Sequence, residues 1–339
     1  MLDQAPTFTI EEASKIAHDE YNLVGIAEEL PSERDQNFLL KTQTGERFIL
    51  KIANATEQRA LLEAQNDAMT HLASRLSFCP RVILNESGHA LSQVQTATSE
   101  HFVRLATFIP GVPLAKVKPT SRLLFNFGKR LGEFSRAMSD FDHPAFHRNF
   151  HWDLAKGQKV IDDYSPLITN RELLAQVEKC RPFFDSNLHL PLTIIHGDAN
   201  DYNVLVQGED VVGLIDFGDL IHSYRVGELA IALAYVVLDK ADPLMSGKAV
   251  VAGYLSEFEL SKEEIELVWP LMLTRLGMSI CLAAHQRQQK PDNEYLDVSQ
   301  SAIRTSLPRL LGIDPSLAAK TFLSADYADY TDFLMRADC

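Results

Sequence analysis

The chain has 339 residues, 46% of them apolar and 23% charged, with a formal net charge of −14. That length carries two units with their own cores, and the composition excludes a disordered or fibrous chain. The negative charge argues against nucleic acid or an anionic membrane surface as a partner and suits a cationic small molecule. The N-terminus, Met1-Leu-Asp-Gln-Ala-Pro6, lacks the basic and apolar regions of a secretory signal. The apolar stretch Leu229–Leu238 is too short to cross a bilayer. Cys79, Cys180, Cys281 and Cys339 form no C-x-x-C pair, so reduced thiols in a cytoplasm are expected and a zinc site is not.

Thr9-Ile-Glu-Glu12 is a capping box that opens a short amphipathic helix to about Glu20. Strand-like segments follow at Leu23–Leu30, Phe38–Thr42 and Arg47–Ile52, separated by turns at Pro31–Gln36 and Gln43–Gly45. Thr56–Leu76 has helical periodicity, with Leu61, Leu62, Met69 and Leu72 on one side. Further strands read at Arg81–Leu84, Ala90–Gln95 and Phe102–Ile109. Residues 1–109 are thus expected to form an antiparallel sheet with an inserted helix. Pro110-Gly-Val-Pro113 breaks the chain and marks a domain boundary. Residues 110–339 read as mostly helical, with helices expected at 120–139, 171–186, 226–238, 262–286 and 294–311.

The exception in the second half is residues 194–218. His196-Gly197-Asp198 follows the apolar Leu192-Thr-Ile-Ile195, and Asn203 opens Val204-Leu205-Val206. A turn at Gln207–Asp210 leads into Val211–Ile215, and Asp216-Phe217-Gly218 closes the run. The spacing D-x-x-x-x-N followed by D-F-G is that of phosphoryl-transfer enzymes, where one carboxylate orients the attacking hydroxyl and oxygen ligands hold magnesium. A hairpin from 204 to 215 would set Asn203 beside Asp216, where both can share a cation. Asp198 is then the candidate catalytic residue, and Asn203 and Asp216 are the candidate metal ligands.

A sheet lobe, a break, and a helical lobe carrying these motifs resemble the aminoglycoside phosphotransferase/choline kinase family, a branch of the protein-kinase-like fold. The segments Leu30–Phe38 and His196–Val206 are most similar to the hydroxylysine kinase group. The resemblance covers nearly the whole chain. It implies an α+β, bilobal fold with a small antiparallel-sheet N-terminal nucleotide-binding lobe and a larger helical C-terminal lobe for catalysis and substrate. It implies transfer of a γ-phosphate from ATP or GTP, with Mg2+, to a hydroxyl of a small amino-alcohol or hydroxylated amino acid. An aminoglycoside acceptor and a nucleotide-binding pseudokinase are the competing readings, and a monomer or homodimer is expected. Lys51, in Phe-Ile-Leu-Lys51, resembles the strand lysine that meets nucleotide phosphates, though such a lysine also reads as an edge residue snorkelling to water. Glu63 is the expected acidic partner of Lys51, with Glu57 and Asp67 as alternatives. The first turn has no G-x-G-x-x-G, so phosphate contact there falls to backbone and to Ser32. Phe108 and Ile109 stand where a nucleobase edge would bond backbone, and they also read as plain core packing.

Further expectations concern the helical lobe. His196 is expected to bond backbone around its loop. Asp219, His222, Tyr224 and Arg225 line an acceptor site, although Arg225-Val-Gly-Glu228 also reads as a helix start with a salt bridge. Arg275 is a candidate for holding an acceptor carboxylate, and Asp219 with Glu228 would suit a polycationic acceptor. His143, His147 and His151 fit no zinc spacing, and Trp152 and Trp269 read as core or cleft walls.

Overall fold

The structure is a computed structural model that describes residues 5–32, 34–96, 99–181, 189–289 and 299–325. Chain contacts divide it into two units, Met1–Pro110 and Gly111–Cys339. The architecture is the expected α+β arrangement, a sheet-dominated first unit and a mainly helical second one.

In the first unit, helix α1 (Ile10–Tyr21) starts at the capping box. Thr9 Oγ1 accepts the Glu12 N–H at 3.2 Å, and Glu12 Oε2 accepts the Thr9 N–H at 2.8 Å. Strands β1 (Gly25–Leu30), β2 (Gln36–Thr42) and β3 (Arg47–Ile52) form an antiparallel meander. Helix α2 (Arg59–Ala73) follows, then β4 (Val82–Ile83), β5 (Ser92–Gln95) and β6 (Glu100–Thr107). The order is β1-β2-β3-β6-β4, with β5 also on β6. Ala13, Ala17 and Tyr21 of α1 pack on Phe38, Leu40, Leu50, Ile52, Val103 and Leu105 of the sheet. Each large side chain buried there contributes about 1.5–3 kcal/mol. Helix α2 begins three residues later than expected because Asn54 Oδ1 accepts from both Thr56 N–H and Thr56 Oγ1–H. That turn competes with the first helical turn.

The second unit begins with β7 (Val112–Pro113), α3 (Ser121–Met138), α4 (Gly157–Tyr164) and α5 (Arg171–Glu178). The part of the expected 171–186 helix from 182 onward lies outside the described residues. Then come β8 (Leu192–Ile195), β9 (Val204–Gln207), β10 (Asp210–Leu214) and β11 (Ile221–Tyr224). Strands β9 and β10 make the expected hairpin, extended by β7, and β11 pairs with β8. Helices α6 (Arg225–Val236), α7 (Pro243–Leu255), α8 (Lys262–Gln289), α9 (Gln300–Leu311) and α10 (Pro315–Leu323) complete the unit. Residues 294–298 of the expected last helix lie outside the described residues.

Helix α8 is long and apolar enough to cross a membrane by length and composition, but its most apolar window is 83% buried. It is the core helix of this unit. Trp269 on α8 is fully buried and meets Phe322 of α10, so it is a core residue and not a cleft wall. Helices α3 and α7 approach so closely that glycine is required on both. A Cβ at Gly128 would overlap the Val250 carbonyl oxygen, and one at Gly253 the Phe125 carbonyl oxygen.

Candidate active site

Strand β8 delivers the chain into the catalytic loop. His196, at the strand end, is fully buried. Its Nε2 faces the Ile215 carbonyl at 3.1 Å and its Nδ1 the Asp198 N–H at 3.3 Å. The ring therefore donates from Nε2 and accepts at Nδ1. Phe134 and Phe217 flank it edge-on at 5.8 and 5.2 Å. This is the backbone-bonding role the sequence suggested. Gly197 has φ +77°, and a Cβ there would stand 2.5 Å from the Asp219 carbonyl oxygen. Glycine thus lets the two motif loops pack directly together.

Asp198 is fixed at both carboxylate oxygens. Its Oδ2 accepts from Asn200 Nδ2 and Asn203 Nδ2, each at 2.9 Å. Its Oδ1 accepts from Arg275 Nη2 at 3.0 Å. Burial holds the carboxyl above the usual carboxylate range, the neighbouring Asp219 and Asp216 push the same way, and Arg275 opposes them. Asn203 also donates to the Asp198 carbonyl at 2.9 Å. The Asn203 amide nitrogen is committed twice to Asp198, which leaves its side-chain oxygen as the acceptor of the pair.

The β9–β10 hairpin continues one pair beyond its regular ladder, where Ile215 N–H donates to the Asn203 carbonyl at 2.9 Å. Asp216 is the next residue, in the left-handed region at φ 65°. A short turn at Phe217–Asp219 follows, with Phe217 buried. Arg148 Nη2 holds this turn through the Gly218 and Leu220 carbonyls at 3.1 and 3.2 Å. Asn203 and Asp216 thus lie at one end of the hairpin. Among the described residues no group of three His, Cys, Asp or Glu could hold a metal by itself. A kinase-type site needs only an amide oxygen and one carboxylate, because phosphates and water supply the rest. The donor types, an amide oxygen and a carboxylate, fit such a hard cation.

Glu228, on the first turn of α6, is fully buried. Its Oε2 accepts the His196 N–H at 2.5 Å. Burial pushes its carboxyl up to about 8. It supports the catalytic loop from below and cannot line a cleft for polycations, which corrects that expectation. Arg225 does open α6, but its salt bridge runs to Glu264 of α8, Nε–Oε1 2.7 Å and Nη2–Oε2 2.6 Å. That bidentate pair with a buried carboxylate makes Arg225 a tie between helices and not an acceptor ligand. His222 stacks on His147 at 4.0 Å, and His147 Nε2 meets Asp142 Oδ1 at 2.8 Å.

Arg275 differs from its expected role as well. The side chain is 2% exposed, and besides Asp198 it donates to the Trp152 carbonyl at 3.0 Å and the Tyr235 hydroxyl at 3.4 Å. Its guanidinium lies 4.4 Å from the centre of the Trp152 ring. A cation so committed has no opening for an acceptor carboxylate. No local signal ties Arg275 to a motif 77 residues away.

In the first unit, Lys51 is half-buried on β3, opposite Asn37 of β2 and Arg104 of β6. Glu63 lies on the exposed face of α2, where its Oε1 accepts from Arg59 Nε at 2.8 Å. Asp67 is exposed too, and Glu57 precedes the helix. The polar residues on the buried face of α2 are Gln65 and Asn66, so the expected acidic partner is displaced by the helix phase. Ser32 is exposed; Glu33 in the same turn lies outside the described residues. Asn54 ties this turn down, with its N–H on Asp35 Oδ1 at 3.0 Å and its Nδ2 on the Arg34 carbonyl at 3.3 Å. Phe108 and Ile109 are half-buried just past β6. The Phe108 N–H already donates to the Arg47 carbonyl at 3.3 Å, and Arg47 covers the Phe108 ring at 4.2 Å. That donor is not available to a nucleobase edge.

Comparison with known proteins gives this geometry its family. Residues 26–263 match the phosphotransferase enzyme family. The chain is 30% identical over 329 residues to hydroxylysine kinase of Mus musculus, covering 87% of each. It is 32% identical over 253 residues to homoserine kinase of Mesorhizobium japonicum, covering 71% of this chain and 73% of that one. Its fold matches the amicoumacin kinase hAmiN, solved with AMP-PNP, Ca2+ and Ami, at TM-score 0.70 and 14% identity over 91% of this chain and 97% of that one. The chain has the protein-kinase-like fold, and it belongs to the phosphotransferase enzyme family as a small-molecule kinase that phosphorylates a hydroxyl group.

Proposed function

We propose that the chain transfers the γ-phosphoryl group of ATP or GTP to a hydroxyl of a small hydroxylated amine of the hydroxylysine type. The observation that carries this reading is the Asp198 carboxylate held by the Asn203 amide nitrogen and by Arg275 at the end of the hairpin that brings in Asp216. Asp198 accepts the proton of the acceptor hydroxyl as its oxygen attacks the γ-phosphorus. The new P–O bond forms as the bond to the bridging oxygen breaks, and the nucleoside diphosphate leaves with that electron pair. Asn203 and Asp216 would hold Mg2+, which when bound neutralises charge on the donor phosphates. Lys51 would meet the nucleotide phosphates and the Ser32 turn would contact the nucleotide, as the resemblance implies. Support for the acceptor class comes from the hydroxylysine kinase and homoserine kinase relatives, whose named substrates are hydroxylated amino acids of modest size.

The test is phosphate transfer to hydroxylysine, ethanolamine, choline, homoserine and kanamycin measured side by side, with wild type and Asp198→Asn. Hydroxylysine should be turned over best, and Asp198→Asn should lose about 10²–10⁴-fold in kcat with nucleotide affinity retained. Efficient transfer to kanamycin with none to the small amines would replace this acceptor class by the aminoglycoside one.

A further inference from the structure

We propose that Arg275 is a positioning residue of the transfer step: its guanidinium fixes the Asp198 carboxylate so that Oδ1 is the oxygen presented to the acceptor hydroxyl. This rests on the reading of Asp198 as the base.

The lone-pair inventory of Asp198 makes the assignment. A carboxylate oxygen has two in-plane acceptor positions. Oδ2 already takes two amide N–H groups, from Asn200 and Asn203. Oδ1 takes Arg275 alone. The acceptor position left on the carboxylate is therefore on Oδ1, beside the guanidinium. The hydroxyl donates to Oδ1, its proton ends there as the P–O bond forms, and the paired Arg275 stays in place throughout.

Arg275 is built for this and for little else. Its Nε, Nη1 and Nη2 each have a separate partner: the Tyr235 hydroxyl, the Trp152 carbonyl and Asp198. The Trp152 ring covers the guanidinium plane. Held on three edges and one face, the fork cannot swing to follow a ligand. Taking an arginine out of water is costly unless it is paired, and an apolar side chain of similar volume often serves stability as well. A charge kept at 2% exposure against Asp198 thus points to the reaction.

The experiment uses the full chain with MgATP and 5-hydroxy-L-lysine. Arg275→Ala should lose on the order of 10²-fold in kcat, as misplacement of a reacting group does. The nucleotide KM, and the nucleotide Kd by calorimetry, should stay within about twofold, because uniform binding is untouched. Ethylguanidinium, which replaces the deleted atoms, should restore kcat at least tenfold, and ethylammonium should not. Arg275→Lys should remain impaired, because a point charge does not reproduce the fork. Where Arg275→Ala melts below the assay temperature, Arg275→Lys and Tyr235→Phe carry the same kcat-against-KM comparison. In the Asp198→Asn background, Arg275→Ala should cost nothing more, because it acts through Asp198. Wild-type turnover in both Arg275 variants would overturn the proposal. So would a loss that ethylguanidinium leaves unchanged, or an equal further loss in the Asp198→Asn background. Wild-type turnover in Asp198→Asn alone would instead remove the base reading beneath it.

Discussion

Asp198 shares its neighbourhood with Asp216 and Asp219, and both raise the cost of ionising it. The proposed metal ligands, Asn203 and Asp216, should carry this arrangement into nucleotide binding. Asp216→Ala should remove magnesium-dependent affinity for nucleotide, and Asn203→Ala should weaken it less, since Asn203 offers a neutral oxygen. Calorimetry with and without magnesium reads this directly, and an unchanged magnesium dependence in Asp216→Ala would end the assignment. Glu228 makes a separate prediction. Its folded-state pKa of about 8 stands above the ordinary 4.5, so the folded chain holds that proton more tightly than the unfolded one. The stability it contributes is complete below 4.5 and is lost as pH rises through 8. Glu228→Gln keeps an acceptor for the His196 N–H without an ionisation. Wild type should lose on the order of a few kcal/mol relative to that variant between pH 5 and pH 9. Denaturation midpoints at pH 5, 7 and 9 that run parallel for the two proteins would contradict this. The grouping of Asp198, Asn203 and Asp216 was legible because one short stretch of chain carries all three around a hairpin. Arg275 and Glu228 were misread because their partners lie 77 and 32 residues away, and a lone charge on an apolar helix carries no pointer to its partner.

At the scale of elements, α3, α5, α6, α8 and α9 were readable in the sequence, and α4, α7 and α10 were not. Helix α7 is buried along most of its length, so Pro243–Leu255 shows no polar side to give it a period. Its start signal was nonetheless present: Asp242 caps the Met245 N–H at 3.0 Å, and Pro243 occupies the first turn. Asp314-Pro315 marks α10 in the same way, with Asp314 Oδ1 accepting the Ser316 N–H at 2.8 Å. Packing decides what a change in α7 does. Glycine inside a helix costs roughly 0.5–1 kcal/mol against alanine, so propensity alone says Gly253→Ala stabilises. The Phe125 carbonyl oxygen in the way is backbone and cannot rotate aside. Overpacking of that kind costs about 1–3 kcal/mol or more and outweighs propensity. Gly253→Ala should therefore lower the melting temperature by several degrees, at about 2–4 °C per kcal/mol. A melting temperature at or above wild type would show that α3 and α7 can separate at little cost.

At the scale of the whole molecule, the charge of −14 acts over distances that no single contact spans. An acidic protein raises the local concentration of cations and lowers that of anions, and salt screens the effect beyond about 8 Å at physiological ionic strength. The two acceptors named by the relatives differ in the quantity this field reads. Hydroxylysine carries one net positive charge at neutral pH, and homoserine carries none. Raising the salt from about 20 mM to 300 mM should therefore raise KM for hydroxylysine by roughly two- to fivefold while leaving KM for homoserine nearly flat. The nucleotide is an anion, so its own capture should improve, or weaken least, over the same range; holding it saturating with magnesium isolates the acceptor term. Turnover at saturating acceptor should not follow the same curve, because Asp198 and Arg275 are partnered at 3.0 Å and shielded from the salt. If KM for both acceptors rises in parallel, the field of the chain does not reach the acceptor site. Selection among amines would then lie entirely in the local contacts of that site.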